Sequence, residues 1–272
     1  MFEERKINPE LLKQYREQGY WKNETLLDCW ERAAAQYPDR EYVVDDRGYR
    51  YTYRELDEAA GRVASYLMEL GIRPGEVVSY QFPIWSEFAM LTIACYKVGA
   101  VAHPSAMSYE EKELARSLNV TESRCYFGPT YFYKTDYEER ILAVRDQTPL
   151  LKDIVLIDSV KPAKSSVRLL REILASYEPL PKEQCVHTKN GQDIAVILCT
   201  SGTTGGTKGV LLSHDNVRFA EEAFNRELGL TKEDIMFMPA PLHHATGFHH
   251  AIIAPMLYGG KVVLQQKYQC RA

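Results

Sequence analysis

The sequence predicts an α/β protein built on a parallel sheet with helices on both faces. Three observations point there. Segments with apolar residues at three- and four-residue spacing alternate with short apolar runs along the chain, the order that gives each strand of a parallel sheet a covering helix. Residues 194–199, Ile-Ala-Val-Ile-Leu-Cys, form an unbroken, β-branched apolar run, which reads as a buried strand. The chain has 272 residues, 45% hydrophobic and 26% charged, ordinary values for one or two globular domains with a sizeable core.

The elements follow in order. Residues 26–37 and 52–70 carry helical spacing, and the second segment opens with Thr52 and Glu55 in capping-box order. Residues 76–81 predict a strand and 85–98 a helix closed by Gly99. A helix over 109–118, a strand over 124–127, a helix over 136–146, a strand over 154–157 and a helix over 166–176 continue the alternation. Residues 179–191, with two prolines and mixed charge, form a connector. Residues 194–199 and the apolar run 210–212 are two strands joined by a polar loop. Residues 248–257 are helical and mostly apolar, and 259–265 read as a turn and a strand. No internal repeat or low-complexity tract interrupts the pattern.

Charge and cysteine usage narrow the function classes. A net charge of −4 without a basic run argues against nucleic-acid binding. The six cysteines, at 29, 95, 125, 185, 199 and 270, are scattered with no Cys-x-x-Cys pair. They read as reduced thiols of a cytoplasmic protein. Cys199 has no base beside it in sequence, so no nucleophilic role is expected of it. The first six residues lack the apolar stretch of a signal peptide. The longest apolar run, 88–96, is half the length that spans a bilayer and is flanked by Glu87 and Lys97.

The chemistry concentrates at residues 200–209, Thr-Ser-Gly-Thr-Thr-Gly-Gly-Thr-Lys-Gly. Glycines let the backbone approach an anion closely, and consecutive N–H groups can form an anion-binding nest. The hydroxyls of Thr200, Ser201, Thr203 and Thr204 add short donors, and Lys208 adds positive charge. This composition suits the phosphates of a nucleotide better than a plain mobile glycine turn. It is not a Walker A loop, in which a glycine precedes the lysine, Ser or Thr follows it, and a helix begins. Here Thr207 precedes Lys208, Gly209 follows it, and the chain continues as strand.

This segment resembles the phosphate-binding signature of the adenylate-forming superfamily, which includes acyl-CoA synthetases, peptide-synthetase adenylation domains and luciferases. Their pattern, Thr-Ser-Gly-Thr-Thr-Gly-x-Pro-Lys-Gly, is matched everywhere except at Thr207, which stands where proline would fix φ. Residues 238–248, Met-Pro-Ala-Pro-Leu-His-His-Ala-Thr-Gly-Phe, resemble the family's Pro-Leu-aromatic-His-x-x-Gly motif, with His244 on its histidine and His243 in the aromatic slot. Segments at 37–40, 51–56, 71–78 and 99–104 recur in the same order in these ligases, the last as a Gly-Ala-x-x-x-Pro turn. Residues 19–26 and 81–88 are most similar to the medium-chain fatty-acid and cyclohexanecarboxylate CoA-ligase branch.

The resemblance covers residues 10–267 and carries several expectations. It implies the amino-terminal part of the ligase fold, truncated, with stacked parallel α/β subdomains. Residues 72–230 would form the first, and 20–70 with 232–272 part of the second. On this resemblance the carboxy-terminal domain would be absent. Strand 261–265 at a raw end would leave an exposed apolar face or edge. The implied reaction joins a carboxylic acid to ATP, giving an acyl-adenylate and pyrophosphate, and then to coenzyme A, with Mg2+ assisting. Thr200, Ser201, Gly202, Thr203, Thr204, Gly205 and Lys208 would bind ATP phosphates, and Lys208 and His244 would act in catalysis. His243, Thr246 and Phe248 would line the near end of the acyl pocket.

No protein-bound metal is expected. The histidines at 243, 244, 249 and 250 lack a His-Glu-x-x-His arrangement, and His249 and His250 read as satisfied packing residues. Acyl substrates partition into lipid, which implies transient contact with a membrane surface. Three outcomes stay open: a ligase fragment active when a downstream chain complements it, a non-catalytic remnant, or an adenylating enzyme that loads a carrier protein.

Overall fold

The computed structural model describes residues 8–158, 160–188, 190–200 and 208–267. Thirteen strands and nine α-helices are assigned among them. The strands are β1 (Glu41–Asp45), β2 (Arg50–Thr52), β3 (Val77–Tyr80), β4 (Val101–Pro104), β5 (Cys125–Pro129), β6 (Tyr131–Phe132), β7 (Thr135–Asp136), β8 (Asp153–Ile157), β9 (Arg168–Leu169), β10 (Ile194–Thr200), β11 (Lys208–Ser213), β12 (Ile235–Met238) and β13 (Lys261–Leu264). The helices are α1 (Pro9–Glu17), α2 (Leu26–Gln36), α3 (Tyr53–Glu69), α4 (Glu87–Lys97), α5 (Glu111–Val120), α6 (Tyr137–Val144), α7 (Leu170–Ser176), α8 (His214–Leu228) and α9 (Ala254–Tyr258). A π-helix, Gly247–Ile253, runs directly into α9.

The strands assemble into a seven-stranded sheet ordered β11-β10-β4-β3-β5-β8-β9 and a four-stranded sheet ordered β12-β13-β1-β2. The larger sheet is parallel except for β11, which returns antiparallel to β10. In the smaller, β12, β13 and β1 are parallel and β2 closes a hairpin with β1. Strands β6 and β7 form a separate two-stranded hairpin.

Helix α4 shows why the core lies where it does. Apolar residues occur all round it, so no face suits water, and all eleven of its residues are buried. Its one cation, Lys97, is compensated by Asp57 at 2.7 Å, and Asp57 also accepts the Trp30 indole N–H at 2.7 Å. Helix α3 packs along it, opened by the expected capping box between Thr52 and Glu55. Gly99 ends the α4 segment at φ +67°, where a β-carbon would be strained.

Three expectations need correction. Residues 101–104 form a central strand rather than part of a turn; once Gly99 has reversed the chain, the Val-Ala-His-Pro stretch is buried throughout between β3 and β10. The helix expected over 166–176 begins only at Leu170, because residues 168 and 169 pair with β8 and the Leu169 N–H donates to Glu172, capping the helix there. Strand β13 is no open edge: it pairs on both sides, and the edge belongs to β12, whose Ile235 and Phe237 remain 59% and 45% exposed. Strands β1, β2, β6, β7 and β12 and helices α1 and α8 have no counterpart among the elements the sequence predicts.

Candidate active site

Parallel strands present their carboxyl ends on one edge, and open α/β sheets bind ligands there, where the strand order reverses. Here β4 follows β3 on one side and β5 returns to its other side, so the reversal lies above β3. A cavity of about 320 Å3 occupies that place. Phe82 and Ile84 come from beyond β3, Met107 from beyond β4, Phe132 from beyond β5, His243 from beyond β12 and Gln266 from beyond β13. The carboxyl ends of both sheets therefore converge on one largely apolar hollow. Gln266 ties them together, its side-chain oxygen accepting the Ile84 N–H at 2.6 Å. Thr200 ends β10, so it sits on the same edge of the larger sheet.

Of the candidate phosphate ligands, Thr200 and Lys208 face each other as a registered pair of the β10–β11 ladder, both exposed. The polar loop thus springs from an antiparallel hairpin with no helix behind it. Ser201, Gly202, Thr203, Thr204, Gly205 and Thr207 lie outside the described residues.

The histidine segment is a tight turn. The His244 N–H donates to the Pro241 carbonyl at 3.2 Å, and the Phe248 N–H to the His244 carbonyl at 2.8 Å. His243 lines the cavity, and burial, with the adjacent His244 adding to it, pushes its imidazole down to about 4, so the ring is neutral at pH 7. His244 is exposed, its ring 4.3 Å from that of His243. Thr246 is exposed and does not line the cavity. Phe248 does not either: it is wholly buried, edge-on to Phe88. His249 and His250 are satisfied by hydrogen bonds to Glu221 at 3.0 Å each.

Gly247 is fixed by the closeness of this turn. A β-carbon there would fall 2.2 Å from the Pro241 carbonyl oxygen and 2.7 Å from the Leu242 α-carbon. Gly247→Ala is therefore expected to cost about 2 kcal/mol through overpacking and to displace His243 from the cavity wall. Urea denaturation reads the first effect, and the His243 ring resonance the second.

The five described cysteines are free thiols. Folding brings His103 to Cys199, with Nε2 at 3.4 Å from Sγ, a base that sequence spacing does not reveal. The pair is nonetheless inert, because burial pushes His103 down to about 4 and raises the Cys199 thiol, leaving both uncharged. The cavity residues from the amino-terminal half, Phe82, Ile84, Met107 and Phe132, went unassigned in sequence; only the topology that gathers strand ends identifies them.

Comparison with known proteins agrees with this architecture. Residues 30–272 match the AMP-binding enzyme family. The chain is 41% identical over 250 residues to the medium-chain fatty-acid–CoA ligase of Escherichia coli (strain K12), covering 92% of this chain and 44% of that protein. It is 26% identical over 256 residues to the 2,3-dihydroxybenzoate-AMP ligase of Bacillus subtilis (strain 168), covering 94% and 46%. The chain thus spans slightly under half the length of these curated relatives. Among solved structures, Mycobacterium smegmatis MbtA superimposes with a TM-score of 0.85 at 24% identity, over 96% of this chain and 47% of that one, which shows the shared fold. A putative long-chain-fatty-acid CoA ligase from Rhodopseudomonas palustris gives 0.78 at 25% identity, over 90% and 58%. With the family match running from residue 30 to residue 272, the chain belongs to the AMP-binding enzymes, the adenylate-forming ligases.

Proposed function

We propose that this chain supplies the ATP-phosphate and acyl-binding half of a medium-chain acyl-CoA ligase, working with a complementing downstream segment. The observation that carries it is the apolar hollow at the carboxyl ends of both sheets, on the sheet edge that also bears the Thr200–Lys208 hairpin. An apolar cavity of 320 Å3 accepts a hydrocarbon chain while leaving the carboxylate at a polar rim. Residues 72–230, and 20–70 with 232–272, act as the two subdomains between which the substrate lies. Free thiols suit a cytoplasmic setting, and an acyl substrate drawn from lipid brings the enzyme transiently to a membrane surface.

In the adenylation step a carboxylate oxygen bonds to the α-phosphorus of ATP while the bond to pyrophosphate breaks. Two anions must meet, so positioning and charge neutralisation dominate. Lys208 and the hydroxyls and amides of 200–205 steady the departing phosphates. His243, neutral in the cavity wall, borders the acyl chain without adding charge, while the exposed His244 stands at the rim beside the carboxylate and the α-phosphate. Coenzyme A thiol then displaces AMP from the acyl-adenylate. Among the described residues no group of three His, Cys, Asp or Glu side chains could hold a metal ion. A magnesium ion would therefore come with the ATP phosphates, whose charge it would help to neutralise, and no step here passes through it.

Pyrophosphate release from ATP with hexanoate or octanoate, measured with and without the downstream half of a relative, tests the proposal. Release that requires both pieces and continues to acyl-CoA supports it. Binding of ATP with no release in either case identifies a remnant, and transfer only to a carrier protein identifies a loading enzyme.

A further inference from the structure

Two consecutive histidines close on one buried carboxylate that the reaction above does not use. Glu221 of α8 is only 2% exposed, and its two oxygens lie 3.0 Å from Nδ1 of His249 and 3.0 Å from Nδ1 of His250. Adjacent side chains on an α-helix diverge by about 100° and do not share a neighbour. The π-helix over Gly247–Ile253 has a wider turn, which lets both rings reach the same group. Phe224, one turn along α8, stacks on His250 at 4.0 Å and fixes that ring. Asn225 of the same helix donates to the Ala254 carbonyl at 3.1 Å, just past the π-turn.

We infer that Glu221 is a positioning residue, clasping the π-turn so that His243 and His244 are held in register with the phosphate hairpin. Helix α8 begins where β11 ends, so Glu221 is connected through regular structure to Lys208. From the other side, the hydrogen bonds Phe248 to His244 and His244 to Pro241 run from the π-turn to the cavity wall. The clasp joins these two paths. A buried carboxylate is costly unless its oxygens are satisfied, so both imidazoles must carry their proton on Nδ1. The inference rests on the proposed function in treating His243, His244 and Lys208 as parts of one site.

Long-range proton–nitrogen NMR spectra of the histidine rings in the full chain test it. In the parent protein His249 and His250 are both expected as Nδ1–H tautomers. Glu221→Gln presents one oxygen and one NH2 group, so one ring is expected to switch to the Nε2–H form. His243 and His244 signals should shift as well, although neither ring touches residue 221. Glu227→Gln, exposed on the same helix, should leave all four signals in place. If Glu221→Gln does not fold, His249→Leu replaces it with the same displacement expected. Unmoved His243 and His244 signals in a folded variant, or an Nε2–H tautomer at either ring in the parent, overturn the clasp. ATP titration of the parent complemented by the downstream half of a relative separates the two readings: absence of binding there removes the proposed function, while the ring signals still decide the clasp.

Discussion

Lys208→Ala is expected to lower pyrophosphate release by the complemented protein about 100-fold, the effect of removing one preorganised charge donor worth roughly 3 kcal/mol at the reacting anion. Lys208 is exposed and stands at the foot of the hairpin, opposite Thr200. No helix N-terminus follows the loop to share the load, so the ammonium is the concentrated positive charge available to the phosphates from this segment. Lys208→Arg keeps the charge but spreads it over a planar fork, and should recover only part of the rate. Stability should be unaffected, because the side chain leaves no buried group unpaired. Burst and steady-state release, with ATP affinity measured alongside, separate binding from turnover. Unchanged affinity and rate in the alanine variant would take the hairpin out of the site.

The second large effect is a loss of stability in mild acid. His103 and His214 are both buried as neutral rings, each pushed down to about 4 by burial. His103 is surrounded by the Ser79 and Ser117 hydroxyls and the Cys199 thiol, none of which can compensate an imidazolium. His214 accepts the Leu26 N–H on Nδ1 at 3.1 Å, so protonation there would break a bond that ties α2 to α8. Asp193, Asp215 and Asp28 pull the other way, but burial dominates. The unfolded chain protonates these rings near pH 6.5 and the folded chain only near 4. Unfolding therefore takes up protons between those values, and stability falls as the pH drops through the window. Each ring accounts for about 3 kcal/mol over the full span. Carboxylates held low, such as Asp28 and Glu76, add their losses only below about pH 4.5. Urea midpoints between pH 7.5 and 4.5 measure the slope; His243, held down to about 4 as well, adds to it, so His214→Asn, which keeps an acceptor for Leu26, should remove about a third. A flat profile would contradict the buried neutral assignment.

Much of the fold was legible because local chemistry and tertiary position agree. The α3 capping box, the long apolar run of α4 and the paired runs flanking residues 201–207 each carry their own signal. Strand β4 was hidden by its central position, since a strand buried on both faces shows no alternation. Strand β12 was obscured for the opposite reason: it is an edge with exposed Ile235 and Phe237, and gains its order from pairing with β13. The site divides the same way. The hydroxyl-rich loop and the Pro-Leu-His-His turn are contiguous in sequence and could be read there. The cavity wall could not, because Phe82, Met107, Phe132 and Gln266 meet only through the order of strands. The contact between Cys199 and His103 spans 96 positions, and the Glu221 clasp joins residues 28 and 29 apart.

The ladder pairing of Thr200 with Lys208 has a consequence for engineering. Directly opposed residues of an antiparallel pair keep their α-carbons about 4.5 or 5.5 Å apart, so the seven residues between them leave and re-enter the sheet through a gate of set width. Exchanging that heptad for the corresponding one of a relative is then a cassette replacement with matched ends, expected to leave the thermal melting of the scaffold beneath unchanged.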